Sequence, residues 1–339
     1  MSQMLYTKYR PKSLKDVQNQ EEVTNILLQS IASKNPASAY IFTGGRGTGK
    51  TSIARAFARD LGILDADIME LDAASHSKIE DIRELGESVA SLPFYSPYKM
   101  YILDEVHMLS KSAANAFLKL LEEPPQHVIF VLATTDPQKL PETILSRCIQ
   151  FNLKKPTLVQ VEKYLKDVTE KESLKLSDSV LKAVAILGDG SYRDSLSHLQ
   201  KLANYTGVEE LGDEQIFALL NISPITSVFA VLKALDIKSE DGVKEALKVL
   251  AEIQNKGLDL KYFLNTLVGF ARLLLLVRFG SKSLQEVLVE EGDVVTDFIR
   301  EQTSNKTPKF ASQSMKELLL LAESKNNNTQ LLGLELLLL

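Results

Sequence analysis

The sequence is nearly empty of the residues that staple or metallate small folds. Among 339 residues there are one cysteine, Cys148, four histidines and no tryptophan. A single thiol excludes an intramolecular disulfide and a Cys-rich zinc site, and it fits a reducing cytoplasm. Long hydrophobic runs are missing too. The most apolar stretch, Leu264 to Phe279, is broken by Arg272 and Arg278, which points to a buried helix and not to a membrane span. Met1 to Arg10 lacks the apolar core of a signal peptide. Nor is there a surplus of positive charge: the net charge is −5, so any nucleic-acid contact has to be a local patch. What is present is 45% hydrophobic and 24% charged residues, the composition of a globular chain with room for about two or three domains.

One stretch organises the rest. Gly44-Gly45-Arg46-Gly47-Thr48-Gly49-Lys50-Thr51 fits the pattern G-x-x-x-x-G-K-[ST], between the apolar run Tyr40-Ile41-Phe42 and a helical pattern from Thr51 to Leu61. Strand, loop and helix in that order make a phosphate cradle. The glycines let backbone N–H groups turn inward, and a side chain at Gly44 or Gly49 would block the approach of a phosphate. Lys50 falls in the first helical turn, where the helix dipole disfavours a cation unless an anion lies in front of it. A nucleoside triphosphate supplies that anion.

A second strand, Met100-Tyr101-Ile102-Leu103, ends in Asp104-Glu105. A continuous apolar run suits a parallel strand covered on both faces, and ligands bind beyond the carboxyl ends of such strands. Two acids there suit Mg²⁺ and an attacking water: Asp104 in the metal shell with the Thr51 hydroxyl, Glu105 orienting or deprotonating the water. Ile68 to Asp72 reads as a short strand, and Val128 to Ala133 as a buried one that ends in Thr134-Thr135. Strand and helix alternate to this point, which predicts a doubly wound α/β domain with a parallel sheet. At the start, Tyr9-Arg10-Pro11-Lys12 reads as an extended segment, and Asn19 with Glu22 as the capping box of a helix. From Pro156 onward the pattern is helical, with Gly188-Asp189-Gly190 as a turn and Gly207 to Gly212 as a linker.

The phosphate loop, Asp104-Glu105-Val106-His107, Thr134-Thr135-Asp136-Pro137 and Ser146-Arg147-Cys148 together resemble the AAA+ clamp-loader ATPases, most of all the gamma/tau branch of bacterial DNA polymerase III. The likeness is strong from Leu5 to Leu202 and weak afterwards. It implies an AAA+ phosphate-loop domain over 1–154, a small helical lid over 155–206 and an all-helical collar over 207–339. It implies an ATPase that uses ATP and Mg²⁺, with Gly44, Gly45, Gly47, Thr48, Gly49, Lys50, Thr51 and Ser52 around the phosphates. Tyr9, Arg10 and Pro11 would lie by the adenine and Thr135 near the γ-phosphate. Arg193 would reach phosphate from the lid, and Arg147 would act in trans as an arginine finger. The implied partners are delta- and delta-prime-like subunits, a sliding clamp and primer-template DNA, with no membrane.

This chain departs from the family pattern in three places. Leu61 to Asp67 closes the gap where most gamma/tau chains carry a four-cysteine module, so zinc is not expected. Asn19 stands where a glycine is usual. The long polymerase- and helicase-binding extension of tau is not represented. Two other readings stay open: a non-hydrolysing scaffold subunit of the same complex, which the intact Gly49, Lys50, Thr51, Asp104 and Glu105 argue against, and another AAA+ motor acting on DNA. Lys78, Arg83 and Lys111 sit at predicted helix starts and are weaker candidates for DNA phosphates. Cys148 has no recognisable base beside it and reads as a small apolar residue; His107 reads as packing or a turn hydrogen bond. Phe263, Leu267, Phe270, Leu274 and Val277 recur at helical spacing. Together with the apolar tail Leu331 to Leu339 they fit either subunit packing or an internal core.

Overall fold

Short apolar runs between amphipathic helices build a five-stranded parallel sheet. In chain order the first elements are α1 (Leu5–Lys8), α2 (Glu21–Ala32), β1 (Ala39–Thr43), α3 (Lys50–Asp60), β2 (Ile68–Asp72) and α4 (Ile79–Val89). They are followed by β3 (Lys99–Asp104), α5 (Lys111–Glu122), β4 (Val128–Thr134), α6 (Glu142–Leu145) and β5 (Ile149–Asn152). The sheet order is β2-β3-β4-β1-β5. The computed structural model describes residues 3–205, 211–237, 239–291, 293–304, 312–324 and 326–338. It divides into two units, Met1–Pro156 and Thr157–Leu339.

Strand alternation sorts the core of the first unit into two layers. Tyr40, Phe42, Met100, Ile102, Ile129 and Val131 face α2 and α3, packing with Leu27, Ile53 and Phe57. Ile41, Tyr101, Leu103, Phe130 and Leu132 face α4 and α5, packing with Leu85, Phe117 and Leu121. Both faces are covered, so the inner strands β1, β3 and β4 are buried almost throughout, and each fully buried large side chain contributes about 1.5–3 kcal/mol. The sheet therefore fixes the ends of β1, β3 and β4, three adjacent strands, to within the tolerance of a packed interior.

Two expectations at the N-terminus are corrected. Tyr9 is not extended; it closes α1, donating its N–H to Leu5 O at 2.9 Å. The capping box of Asn19 and Glu22 does not form: α2 starts at Glu21 with Gln20 as its N-cap and no side-chain cap, and Asn19 has φ +61°. Asparagine is one of the few side chains that tolerates this left-handed conformation, which accounts for its standing at a glycine position. The turn delivers the Gln20 amide to the end of β5. There its Nε2 donates to Lys154 O at 2.8 Å and its Oε1 accepts from Lys154 N at 3.2 Å.

The short connection after α3 is closed by Asp67, 1% exposed. Its carboxylate accepts the backbone N–H groups of Phe94, Tyr95 and Ser96 at 2.6, 3.0 and 2.9 Å.

The second unit is helical: α7 (Leu158–Lys171), α8 (Asp178–Leu187), α9 (Tyr192–Ala203), α10 (Asp213–Leu220), α11 (Ile225–Ile237) and α12 (Glu240–Lys256), then α13 (Leu260–Arg278), α14 (Leu284–Glu291), α15 (Asp293–Thr303), α16 (Ser312–Glu323) and α17 (Asn327–Leu338). Side-chain caps start several of them, among them Thr157, Ser177, Ser191, Ser239 and Asp259. The expected turn precedes α9, with Asp189 at φ +44° and Gly190 at φ +69°. Residues 207–210 of the expected linker lie outside the described residues. Among the described residues α13 is long and apolar enough to cross a bilayer. Here Phe263, Leu264, Leu267, Ala271 and Leu274 are fully buried, packed by α11, α15, α16 and α17. The apolar tail joins the same core through Leu331, Leu334 and Leu338, while Leu332 and Leu336 face outward.

Candidate functional site

β1 hands the chain to the phosphate loop beside the end of β5. A Cβ on Gly44 would come within 2.8 Å of the Leu153 backbone oxygen, and Gly44 has φ +146°; glycine is required there on both counts. At Gly49 a Cβ would meet nothing within 4 Å, but φ is +99°, so the constraint is conformational. The Thr48 hydroxyl closes the loop on Gly45 O at 2.9 Å. Lys50, 6% exposed, lays its Nζ on Gly44 O and Gly45 O at 3.0 and 2.8 Å. Burial lowers its pKa from the ordinary value, and the charges of Glu105 and Asp104 pull it back up. A desolvated ammonium whose hydrogen bonds go to loop carbonyls is poised for a stronger anion. The loop therefore fits a triphosphate.

The ends of β3 and β4 complete the site. Asp104 Oδ2 accepts the Thr51 hydroxyl at 2.8 Å, and its Oδ1 accepts the Glu105 N–H at 3.0 Å. One hydroxyl and one carboxylate set together are the protein ligands that Mg²⁺ takes beside phosphates. Glu105 sits in the left-handed region, φ +47°. Thr135 donates its hydroxyl to Glu105 Oε2 at 3.2 Å. His107, read from the sequence as packing or a turn hydrogen bond, belongs to this cluster: Nδ1 lies 2.9 Å from Thr134 Oγ1 and 3.3 Å from Glu105 Oε2. It closes the Asp104-Glu105-Val106-His107 motif, but only the turn geometry brings its ring against Thr134 and Glu105.

A family model described as DNA polymerase III, delta subunit matches residues 62–157. The DNA polymerase III subunit gamma/tau of Mycoplasma genitalium is 38% identical over 288 residues, 79% of this chain and 48% of that protein. The DNA polymerase III subunit gamma of Buchnera aphidicola subsp. Acyrthosiphon pisum is 34% identical over 289 residues, 79% of each chain. This chain belongs to the DNA polymerase III gamma/tau subunit family. It spans about half the length of the first relatives it matches, 48%, 55% and 46% for three of them. Among solved structures, the Thermotoga maritima RuvB Holliday junction branch migration motor is similar in fold, with a TM-score of 0.54 and 20% identity over 67% of this chain and 79% of that one. The fold is that of an AAA+ phosphate-loop domain with helical domains after it.

The remaining gamma/tau motif residues are not all at this cluster. Arg147 precedes β5, whose first residue, Ile149, pairs with Tyr40 near the start of β1. It is thus separated from its own phosphate loop by the length of β1, roughly 15 Å. Its guanidinium donates to Thr143 O and to Glu122 Oε1, both at 2.8 Å. Arg193 lies exposed in the first turn of α9, in the second unit. Tyr9, Arg10 and Pro11 are half-buried. They lie just before Ser13 and Leu14, which bond Asp60 at the far end of α3. Ser52 is half-buried in the first turn of α3. Lys78, Arg83 and Lys111 are exposed. The starts of α4 and α5 are tied by Ser110 N–H to Ser77 O at 3.0 Å, which brings Lys78 and Lys111 to one edge. Burial pushes the Cys148 thiol up to about 12, an inert residue.

Proposed function

We propose that this chain is the ATP-hydrolysing motor subunit of a bacterial DNA polymerase III clamp loader, working in the cytoplasm with delta- and delta-prime-like subunits to open a sliding clamp and load it on primed DNA. One observation carries the reading. Lys50, Thr51, Asp104, Glu105 and Thr135 converge at one end of the sheet, while Arg147, with no way to reach them, stands at the other. A pocket that Arg147 cannot reach within its own chain is one that the Arg147 of a neighbouring copy or paralogue can complete.

The residues then have these roles. Gly44 to Ser52 cradle the phosphates, Lys50 holds the terminal ones, and Tyr9, Arg10 and Pro11 flank the adenine. Thr51 and Asp104 hold Mg²⁺, which when bound neutralises charge across the phosphates. Glu105 orients or deprotonates the water, and Thr135 sits near the γ-phosphate. Arg193 contacts phosphate from the lid, 155–206, which with the collar, 207–339, subdivides the second unit. Arg147 completes the neighbour's site. Lys78, Arg83 and Lys111 contribute to DNA binding.

The decisive measurement is ATP turnover by the reconstituted assembly, with and without clamp and primed DNA. The lone chain should be slow, and Arg147→Ala should cost the assembly about 10³-fold or more while nucleotide binding by the chain holds. Full-speed turnover by a lone chain, or an unaffected Arg147→Ala assembly, would overturn the proposal.

A further inference from the structure

Glu105 is gripped by one oxygen. Oε2 takes the Thr135 hydroxyl at 3.2 Å and has His107 Nδ1 at 3.3 Å, whereas among the described residues no hydrogen bond reaches Oε1. The His107 side chain is 8% exposed. Its Nδ1 is 2.9 Å from Thr134 Oγ1, which already accepts the Asp136 N–H at 3.0 Å. Its Nε2 faces Asp136 Oδ2 at 3.7 Å, too long for a hydrogen bond. A bare Nδ1 lone pair would face the carboxylate oxygen of Glu105. The arrangement that avoids this repulsion has the proton on Nδ1, donated to Thr134 Oγ1 and directed beside Glu105 Oε2.

We infer that His107 is a positioning residue for Glu105. The backbone at Glu105 is left-handed, so its Cβ direction is set by the turn. The Thr135 hydroxyl then holds one carboxylate oxygen. The His107 N–H, donated to Thr134 Oγ1, lies 3.3 Å from that same oxygen and favours its place electrostatically, and Oε1 is left to engage water. Without His107 the carboxylate rotates more freely about its side-chain torsions, so catalysis loses orientation while nucleotide binding keeps Lys50 and the loop. This inference rests on Glu105 acting on the attacking water, as proposed above.

The test uses the full chain in the reconstituted assembly with two variants. His107→Leu fills the space without a donor; His107→Asn places an amide N–H close to the position of Nδ1. For His107→Leu, kcat should fall about 10- to 100-fold, with KM and ATP affinity little changed. His107→Asn should recover most of that loss. Unaltered kcat in His107→Leu would overturn the inference, as would a defect confined to nucleotide affinity, or a His107→Asn protein as slow as His107→Leu. A wild-type assembly with no turnover would bring down the proposed function and this inference together. Robust turnover that ignores both substitutions would bring down only the inference.

Discussion

Thr51 Oγ1 donates to Asp104 Oδ2 at 2.8 Å, joining the first turn of α3 to the end of β3. The two side chains come from segments 53 residues apart, and neither would find the other without the packed sheet between them. Because the other Asp104 oxygen is taken by the Glu105 N–H, the carboxylate has one orientation, as a cation that insists on near-octahedral ligands requires.

Asp104→Asn keeps the shape and removes the charge. Mg²⁺-supported ATP affinity should drop about 10- to 100-fold, and calorimetric titrations with Mg²⁺ and with EDTA should converge. A variant whose affinity still responds fully to Mg²⁺ would remove Asp104 from the metal shell.

Gly44 and Gly49 should differ under the same substitution. Gly44→Ala meets a backbone oxygen at 2.8 Å as well as a positive φ, whereas Gly49→Ala meets only the φ. The first should cost the fold more, with strain of about 1–3 kcal/mol at either site before the clash is added. Urea denaturation of the two variants checks the order.

Asp67 should make the first unit acid-sensitive. Burial pushes its carboxyl up, but the N–H groups of Phe94, Tyr95 and Ser96 outweigh that and hold it below the ordinary 3.8. A depressed folded pKa stabilises above the unfolded value and stops doing so as pH falls through the folded one, so the Asp67 contribution should be present at pH 5 and above and fade below about 3.8. Asp67→Ala should lose at least about 2 kcal/mol at neutral pH through its three abandoned amides. Its stability should also depend less on pH in the acid range, read by denaturation at several pH values.

In the second unit, Arg278 makes a two-pronged contact with Asp236 at 2.9 and 2.7 Å and also donates to Gln302 O at 3.0 Å. Asp236 is fully buried. Removing one partner strands a buried charge, so Asp236→Ala should cost about 3–5 kcal/mol, whereas an apolar pair at both positions should cost much less. A double-mutant cycle by chemical denaturation measures the difference.

The phosphate loop, the acid pair after β3 and the two threonines after β4 were legible in the chain because each is a short local pattern beside an apolar run. Strands β1 to β4 and the helical character of the second unit were legible for the same reason. β5 was not read as a strand: of its four residues only Phe151 is buried, too brief an alternation to stand out. The left-handed Asn19 escaped because Asn before acidic residues also reads as a helix cap, and nothing local says which conformation wins until Lys154 arrives to claim Gln20. The role of His107 escaped because its hydrogen-bond partner, Thr134, is contributed by a different strand end.

The distance between Arg147 and its own phosphate loop has an arithmetic consequence under the proposed function. A member that gives at one face and receives at another assembles by a heterologous contact, so copies form a procession and not mirrored pairs. In an open arc the last donor has no recipient and the first pocket no donor, so functioning pockets number one fewer than donor-bearing positions; only a closed circle would make the two counts equal.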